Sequence, residues 1–578
     1  MEILTKELVF GLIGGLSLFL FGLVTLGEGL QKAAGNRIRK VIRAMTQNPF
    51  LSLLLGACLT ILFQSSSATA VMVIGLLGAS VITLTQALVI LMGASLGTTF
   101  IAQVIAFHLE EYALLVIGIG FVLQHLATRR YVRYIGQAIL GFGLVFIGLQ
   151  TLSNAFHPLA NYATFREYLS EVNKYPFWGF FIGLISTALL QSSNATIALL
   201  QSLAQQPVLT QHGYLALLPL SISVPILLGT NVGSCATAFF ACIGRNRNTK
   251  RAVFAFILFN LLGSVLLLFF VPSFSRLIGW LTFHLANWYD SFKNSIFQGS
   301  IAVPWQNVDL IPREIAIAHT VFTIANIILW LPFIGLIVRW TNKIFIGKEK
   351  ESKDGLEYLD IGMINTPSVA IDLAILEISH MSEIALQMLK SARYAFVKGT
   401  SQSIREVEEK EESVDDLQEK LTLYVSTLLT NNTITPNQSR FLAGLLHVIN
   451  DVERVGDHAH NIACYAEEKI EEKLPFSELA LNELEMLFGK IVDILVLSID
   501  ALRTHDPVLA RKTLKREIIV DKLQEELRQN HINRLNQGRC WPGSGVIYVE
   551  LLNNLERVAD HAVNIAQVVL KEEADHRR

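Results

Sequence analysis

A short polar word occurs twice inside apolar sequence: Gln64-Ser65-Ser66-Ser67-Ala68-Thr69 and Gln191-Ser192-Ser193-Asn194-Ala195-Thr196. Each copy sits between apolar arms too short to cross a bilayer alone. Leu51 to Phe63 precedes the first, Val71 to Ile82 follows it, and Phe177 to Leu190 precedes the second. A spanning helix needs about 20 apolar residues, so arms of about a dozen read as half-helices meeting at a hydroxyl-rich break. Non-helical backbone at membrane depth is tolerated only where protein buries it or it lines a cavity. Broken segments at matching places in two halves of a chain are the sequence sign of a transporter's binding site.

The two halves match elsewhere too. Residues 18–26 (LFLFGLVTL) match 144–152 (LVFIGLQTL), and Gly93-Ala94-Ser95-Leu96-Gly97-Thr98-Thr99 matches Gly229-Thr230-Asn231-Val232-Gly233-Ser234-Cys235. Small residues that let helices pack closely would account for one such motif. They do not account for three matches in the same order together with the short arms.

Mean hydropathy is +0.44, an average over two regimes. Long apolar runs at 9–30, 87–107, 112–127, 134–156, 215–243, 252–271 and 317–340 give way after Lys348 to charged, Glu-rich sequence. The reading is an all-α polytopic membrane domain over 1–345, with repeat 1 at about 9–127, repeat 2 at about 134–271 and an extra span at about 317–340. A linker over 346–366 and a soluble domain over 367–578 follow. Basic joints carry Lys32, Arg37, Arg39, Lys40 and Arg43, then Arg129, Arg130 and Arg133, then Arg245, Arg247, Lys250 and Arg251, then Arg339, Lys343 and Lys348. Lys and Arg favour the cytoplasmic side, which puts the N-terminus outside and the soluble domain inside. The count closes if both polar words are tips of re-entrant hairpins, the first open to the cytoplasm and the second to the outside, as in an inverted repeat. The N-terminus lacks a basic leader and a small-residue cleavage site, so 9–30 is expected to be a retained span. Net charge is -2, which argues against nucleic acid as a partner. Five scattered cysteines suggest neither a disulfide framework nor a zinc ribbon.

The site so inferred holds no charged side chain. Hydroxyls and amides both donate and accept. Paired half-helix N-termini favour an anion. Broken-backbone carbonyls and hydroxyl oxygens favour Na+. Without an arginine, desolvating a dianion is costly unless cations enter with it, which is a physical reason for co-transport. Asn260, His319 and Asn326 are weaker candidates to line a path. Glu28 is expected to reach the interface.

On these residues the first 345 positions resemble the type II sodium/phosphate cotransporters, whose signature is a pair of QSSS motifs in inverted re-entrant hairpins. The resemblance implies that Gln64, Ser65, Ser66, Ser67 and Thr69, with Gln191, Ser192, Ser193, Asn194 and Thr196, contribute to phosphate and sodium binding. Ser95, Thr98, Thr99, Thr230, Asn231 and Ser234 are second candidates. Asn194 departs from the third serine, Ser95 from the usual Asn, and Ser234-Cys235 from the usual Thr pair.

The soluble domain is also duplicated. Residues 414–421 (VDDLQEKL) match 520–527 (VDKLQEEL), and 453–462 (ERVGDHAHNI) match 556–565 (ERVADHAVNI). Breaks at Thr430–Gln438, Leu474–Pro475, His505–Pro507 and Trp541–Ser544 divide it into two bundles of three helices. Each bundle has two Glu-x-x-x-Asp pairs: Glu411/Asp415 with Glu453/Asp457, and Glu517/Asp521 with Glu556/Asp560. This spacing puts both carboxylates on one helix face. With nearby His458 or His561 they suit Mg2+, Mn2+ or iron, while salt bridges to Arg454 and Arg557 would make them an ordinary solvated face. The doubled Glu-Arg-Val-(Gly/Ala)-Asp-His word resembles the PhoU family of cytoplasmic phosphate regulators, whose members bind metal clusters through such pairs.

The expectation is a sodium-coupled phosphate transporter of the bacterial inner membrane with a regulatory cytoplasmic domain. Another small anion, or a sensor without transport, are the alternatives. No nucleophile–base pair, P-loop or metalloprotease word points to an enzyme. A homodimer and a cytoplasmic regulatory partner are compatible with this organisation.

Overall fold

The computed structural model describes residues 6–34, 48–78, 81–107, 109–160, 162–210, 213–243, 247–296, 307–345, 356, 358–359, 361–364, 367–430 and 434–577. Arg37, Arg39, Lys40, Arg43, Arg245, Lys348 and most of the 346–366 linker lie outside them. The chain divides into two compact units, Met1–Glu349 and Lys350–Arg578.

The first unit is built from α1 (Lys6–Ala34), α2 (Pro49–Phe63), α3 (Ser66–Gly78), α4 (Leu84–Ile105), α5 (Ala113–Leu126), α6 (Arg130–Ala160), α7 (Ala163–Lys174), α8 (Pro176–Leu190), α9 (Ser193–Ala204), the short hairpin β1–β2 (Pro207–Thr210, Gly213–Ala216), α10 (Leu220–Gly233), α11 (Cys235–Ala241), α12 (Arg247–Leu268), α13 (Val271–Ile296), α14 (Asn307–Trp330) and α15 (Ile334–Ile344). Asn48 caps α2 by accepting from Phe50 N, and Thr83 forms a reciprocal capping box with Gln86 at α4. Among the described residues, six stretches are long and apolar enough to cross a membrane: Leu8–Ala34, Leu84–Ile105, Arg130–Pro158, Leu220–Ala241, Arg247–Leu268 and Leu310–Ile344. The apolar run at 112–127 is a 14-residue helix, α5, and at 1.5 Å per residue it is about 21 Å long, short of a bilayer core. The run at 317–340 is interrupted by a 3-10 turn, Leu331–Phe333, before α15.

Glycines set the packing. A Cβ on Gly11, Gly15, Gly22 or Gly29 of α1 would strike Ala155, Leu152, Val145 or Ala138 of α6 at 2.9 Å or less. The partners descend α6 as the glycines ascend α1, so the two helices that carry the first sequence match lie antiparallel. The contacts are reciprocal: Gly22 meets Val145, and its counterpart Gly148 meets Phe19. Gly56 and Gly93 bring α2 and α4 together, with built Cβ atoms 2.0 Å from Ile90 O and Leu53 O. Gly183 and Gly229 do the same for α8 and α10, at 1.9 Å from Ile226 O and Phe180 O.

The second unit contains α16 (Pro367–Lys398), α17 (Ser401–Leu429), α18 (Pro436–Glu471), α19 (Glu478–Thr504), α20 (Pro507–Asn536) and α21 (Pro542–Arg577). α16–α18 form one three-helix bundle and α19–α21 the other, with α18 packed on α21. Apolar stripes such as Leu442, Leu445, Ile449, Val452 and Val455 are fully buried in the bundle centres. Prolines at the first turn and capping side chains, Thr435 with Gln438 and Asp506 on Val508 N, start the helices where the sequence breaks.

Candidate functional site

The two polar words form equivalent turns. Gln64 ends α2 at φ 53° and Gln191 ends α8 at φ 51°, both in the left-handed region. For a residue with a Cβ that conformation costs about 1–3 kcal/mol and persists where surrounding contacts enforce it, often at binding sites. The next residue caps the following half-helix: Ser65 Oγ accepts from Ala68 N at 3.1 Å, and Ser192 Oγ from Ala195 N at 3.2 Å. Each pair of arms is then tied by threonines. Thr60 Oγ1 donates to Thr69 Oγ1 at 3.0 Å, and Thr187 Oγ1 to Thr196 Oγ1 at 3.0 Å.

The turns meet each other. Ser67 Oγ donates to Gln191 O at 3.4 Å, and its counterpart Asn194 donates through Nδ2 to Gln64 O at 3.1 Å. Ser67 also reaches Thr237 Oγ1 at 3.2 Å. Between the turns lies a cavity of about 210 Å³, lined by Gln64, Ser65, Ser66 and Ser67, by Gln191, Ser192, Ser193 and Asn194, and by Leu20, Leu23, Val24 and Phe63. None of these residues is charged. Gln64 Oε1 and Asn194 Oδ1 are buried without a hydrogen-bond partner among the described residues. The Ser66 and Ser193 side chains make no hydrogen bond with a described residue, so their hydroxyls are available to a ligand. Two half-helix N-termini, free hydroxyls and spare amide oxygens therefore border one neutral space, able to donate to an anion and to accept from a cation.

Eight of the ten primary candidates line this cavity. Thr69 and Thr196 do not; they brace the arms behind it. The second candidates are placed away from the lining. Ser95, Thr98, Thr99, Thr230, Asn231 and Ser234 direct their polar atoms to carbonyls of the preceding turn, Leu91, Ser95, Leu96, Ile226, Leu227 and Asn231. The glycines of these segments, Gly93 and Gly97, Gly229 and Gly233, make the close approach of α4 to α2 and of α10 to α8. Asn260 bonds Cys235 Sγ and Phe256 O, and Glu28 is bonded by Lys32 and Gln137. Thr60 and Thr187 escaped the sequence reading, although they stand at the same offset as the polar words; inside apolar arms they pass for packing residues.

In the second unit the acidic pairs face different partners. Glu411 Oε2 lies 2.5 Å from His460 Nδ1, while Arg454 bridges Glu453 at 3.6 Å and Asp457 at 3.0 Å. Burial, then the charges of Asp415, Asp457 and Glu408 push the Glu411 carboxyl up, against the opposing pull of His460. Glu453 is raised by burial and by Asp457. Glu517 is raised to about 7 by burial, then by the charge of Asp521 and a hydrogen bond shared with it, then by Asp560. Arg557 and Asp560 are 3.8 Å apart, and Gln524 donates to Glu556 at 3.4 Å. The donors suit a hard divalent cation. Among the described residues, no three His, Cys, Asp or Glu side chains are gathered closely enough to hold one.

His458 and His561 instead join the two bundles. Their rings stack at 5.6 Å and 29°. His458 Nδ1 lies 2.9 Å from Asn554 Oδ1, and His561 Nδ1 lies 2.8 Å from Asp451 Oδ1. Asn461 and Asn564 donate to the same two oxygens. Asp451 and Asn554 are counterparts in the repeat, so the interface is reciprocal.

Residues 18–154 and 152–287 match the family model described as Na+/Pi-cotransporter, and residues 378–466 and 484–569 match the PhoU domain. The chain thus belongs to the Na+/Pi-cotransporter family through its N-terminal half and carries two PhoU domains in its C-terminal half. A Salmonella typhimurium relative named "Putative inorganic phosphate export protein YjbB" is 22% identical over 97% of this chain and 97% of its own length. "Uncharacterized protein YqeW" of Bacillus subtilis is 29% identical over 44% of this chain and 80% of its own. The crystal structure of PhoU from Pseudomonas aeruginosa covers 36% of this chain and 97% of its own, at 19% identity and a TM-score of 0.34.

Proposed function

We propose that this protein carries inorganic phosphate across the cytoplasmic membrane together with sodium, through the cavity between its two polar turns. One observation carries the reading: the turns, 127 positions apart, clasp each other reciprocally around a neutral space bordered by two helix N-termini. The antiparallel seating of α1 on α6 supports an inverted repeat, and the two clasped turns support re-entrant hairpins. On this reading the short α5 crosses as a seventh pass with the bilayer thinned around it, which puts the N-terminus outside and the second unit in the cytoplasm, in keeping with the basic joints. Phosphate enters without its water only if its charge is offset, and with no arginine or lysine in the lining the offset is Na+ on the spare amide and hydroxyl oxygens. A symporter runs either way according to its gradients, so release of phosphate, the role in the Salmonella relative's name, needs no separate machinery. The PhoU domains regulate this movement, and the acidic foursomes would have to draw their carboxylates together to take Mg2+, Mn2+ or iron.

Proteoliposomes holding the full chain test the reading. Phosphate flux should rise several-fold when a sodium gradient replaces a choline gradient, and excess sulfate should not compete. Flux indifferent to sodium removes the coupling; equal competition by sulfate reassigns the anion.

A further inference from the structure

Four buried polar atoms of the first unit lack a hydrogen-bond partner among the described residues and fall along one seam. They are Gln201 Oε1, His319 Nδ1, Thr323 Oγ1 and Asn326 Oδ1. Each parent residue is at most 4% exposed. Positions 312, 316, 319, 323 and 326 follow one another on α14 at alternate steps of four and three, and so share one face. Gln201 joins that face at its start, donating to Pro312 O at 2.8 Å and to Ala102 O at 3.2 Å. Asn326 closes the other end. Its Nδ2 donates to Phe259 O at 3.4 Å, and its amide occupies the notch at Gly263, where a Cβ would lie 1.9 Å from Oδ1. The fourteen steps from 312 to 326, at about 1.5 Å each, make the seam about 21 Å long. Its α14 residues lie beyond position 287, where the Na+/Pi-cotransporter match ends. The repeat counterpart of Gln201 is Ile74, so the first half has no equivalent seam.

Buried polar groups are almost always partnered, and amide oxygens only accept. Neutral imidazole and hydroxyl groups accept as well. The two amide oxygens can only accept and are completed by a cation or by water rather than by an anion; the donor on the same face that lacks a partner among the described residues, Trp330 Nε1, lies one turn beyond Asn326. The neighbouring charges turn elsewhere: Arg313, next to Pro312 on α14, lies over the Phe107 ring, and Arg276 of α13 is exposed and donates to Pro272 O. α4, α9 and α10 contribute no acidic, basic or histidine residue to the packing. On α12 the basic residues Arg247, Lys250 and Arg251 stand eight or more positions before Phe259. Glu314 of α14 lies toward Gly279 of α13. Neutral oxygen ligands without a carboxylate suit a monovalent ion; Ca2+ and Mg2+ draw on carboxylates.

We propose that this seam is a site for a sodium-sized monovalent cation, entering with its water and held at Thr323 and Asn326, separate from the phosphate cavity. It rests on the sodium half of the functional reading. Thermal unfolding of the purified full chain, titrated with sodium chloride against choline chloride at equal ionic strength, tests it, because a ligand of the folded state raises the midpoint with concentration. The sodium concentration that gives half the shift should rise about tenfold in near-isosteric Thr323→Val, as expected for loss of one ligand contact. Asn326→Ala should do the same, and if it does not accumulate, Thr323→Val decides alone. Ser193→Ala should instead weaken the shift caused by phosphate. An unchanged sodium half-point in Thr323→Val means that the seam holds water only; it overturns the site and leaves the functional reading standing. No sodium shift in the wild type, with the phosphate shift intact, overturns both sodium claims and leaves phosphate carriage.

Discussion

Both units contain a duplicated motif, but the two duplications are used differently. In the first unit the copies converge on one space, and what they bring there is neutral: backbone ends, hydroxyls and amides. In the second unit each copy keeps its acidic foursome within its own bundle, and the copies meet through the His458–His561 stack with its Asn554 and Asp451 partners. Burial sorts the chemistry. An ion between the polar turns meets groups that need no counter-charge of their own when the site is empty. The partly exposed carboxylates of a bundle are instead offset by neighbours, by His460, by Arg454 or, at Glu517, by a hydrogen bond with Asp521. The first arrangement suits a passing load and the second a resident or sensed one.

The contrast extends to stability, and the largest expected effect lies there. Glu483 is buried with Arg534, which donates to both its oxygens at 2.8 and 2.7 Å, while Tyr548 OH donates at 2.7 Å. Glu483→Ala strands a buried guanidinium and should cost about 3–5 kcal/mol, read as a lower denaturation midpoint of the second unit by circular dichroism. The first unit depends on close backbone contact instead. Gly183→Ala should cost about 1–3 kcal/mol or prevent accumulation, because its Cβ would meet Ile226 O at 1.9 Å. Gly14→Ala, with nothing within 4 Å, is the control and should leave the thermal midpoint unchanged. A tolerant Gly183 would break the comparison.

Smaller changes sharpen it. Thr187→Val removes one side-chain bond between the arms of the second turn and should lower stability by about 1 kcal/mol while phosphate binding survives. Loss of binding with an unchanged melting curve would make Thr187 a ligand. The smallest effect is a pH dependence. His531 stacks on Tyr548, and burial, followed by the charge of Arg534, holds its pKa below the usual 6.5. The unfolded chain then takes the proton more readily, so the stability His531 contributes is present above 6.5 and declines as pH falls below it. Glu517, raised toward 7, acts with the opposite sign between 4.5 and about 7. The difference between wild type and His531→Phe in melting temperature across that range isolates the histidine; parallel curves would remove it.

Much of this was legible in the residues. The polar words, their arms and the order of matches predicted paired turns, because a hydroxyl cluster inside short apolar arms has few places to be. Five of the six long helices described in the second unit start at a proline or a capping side chain; α17 follows Gly399 instead. What was not legible depended on pairing across distance. Ser65 and Ser192 line the cavity and also cap helices, a second role visible only once the turn is formed. Nor does the sequence show that the polar side chains of Ser95 to Thr99 and Thr230 to Ser234 bond carbonyls of their own helices. The run at 112–127 has the composition of a span without the length. Glu483 and Arg534 stand 51 positions apart, with no local pattern to link them.

The central claim is that the two turns hold one ligand together. Phosphate affinity of the purified full chain, measured in sodium for wild type, Ser66→Ala, Ser193→Ala and the double variant, tests it most directly. Each single change removes a hydrogen bond to a charged ligand and should weaken binding about tenfold or more, at roughly 1.5–3 kcal/mol. Groups that touch one ligand couple, so the double variant should lose clearly less or more than the sum of the two. Strictly additive losses, or wild-type affinity in either single variant, would contradict a shared site.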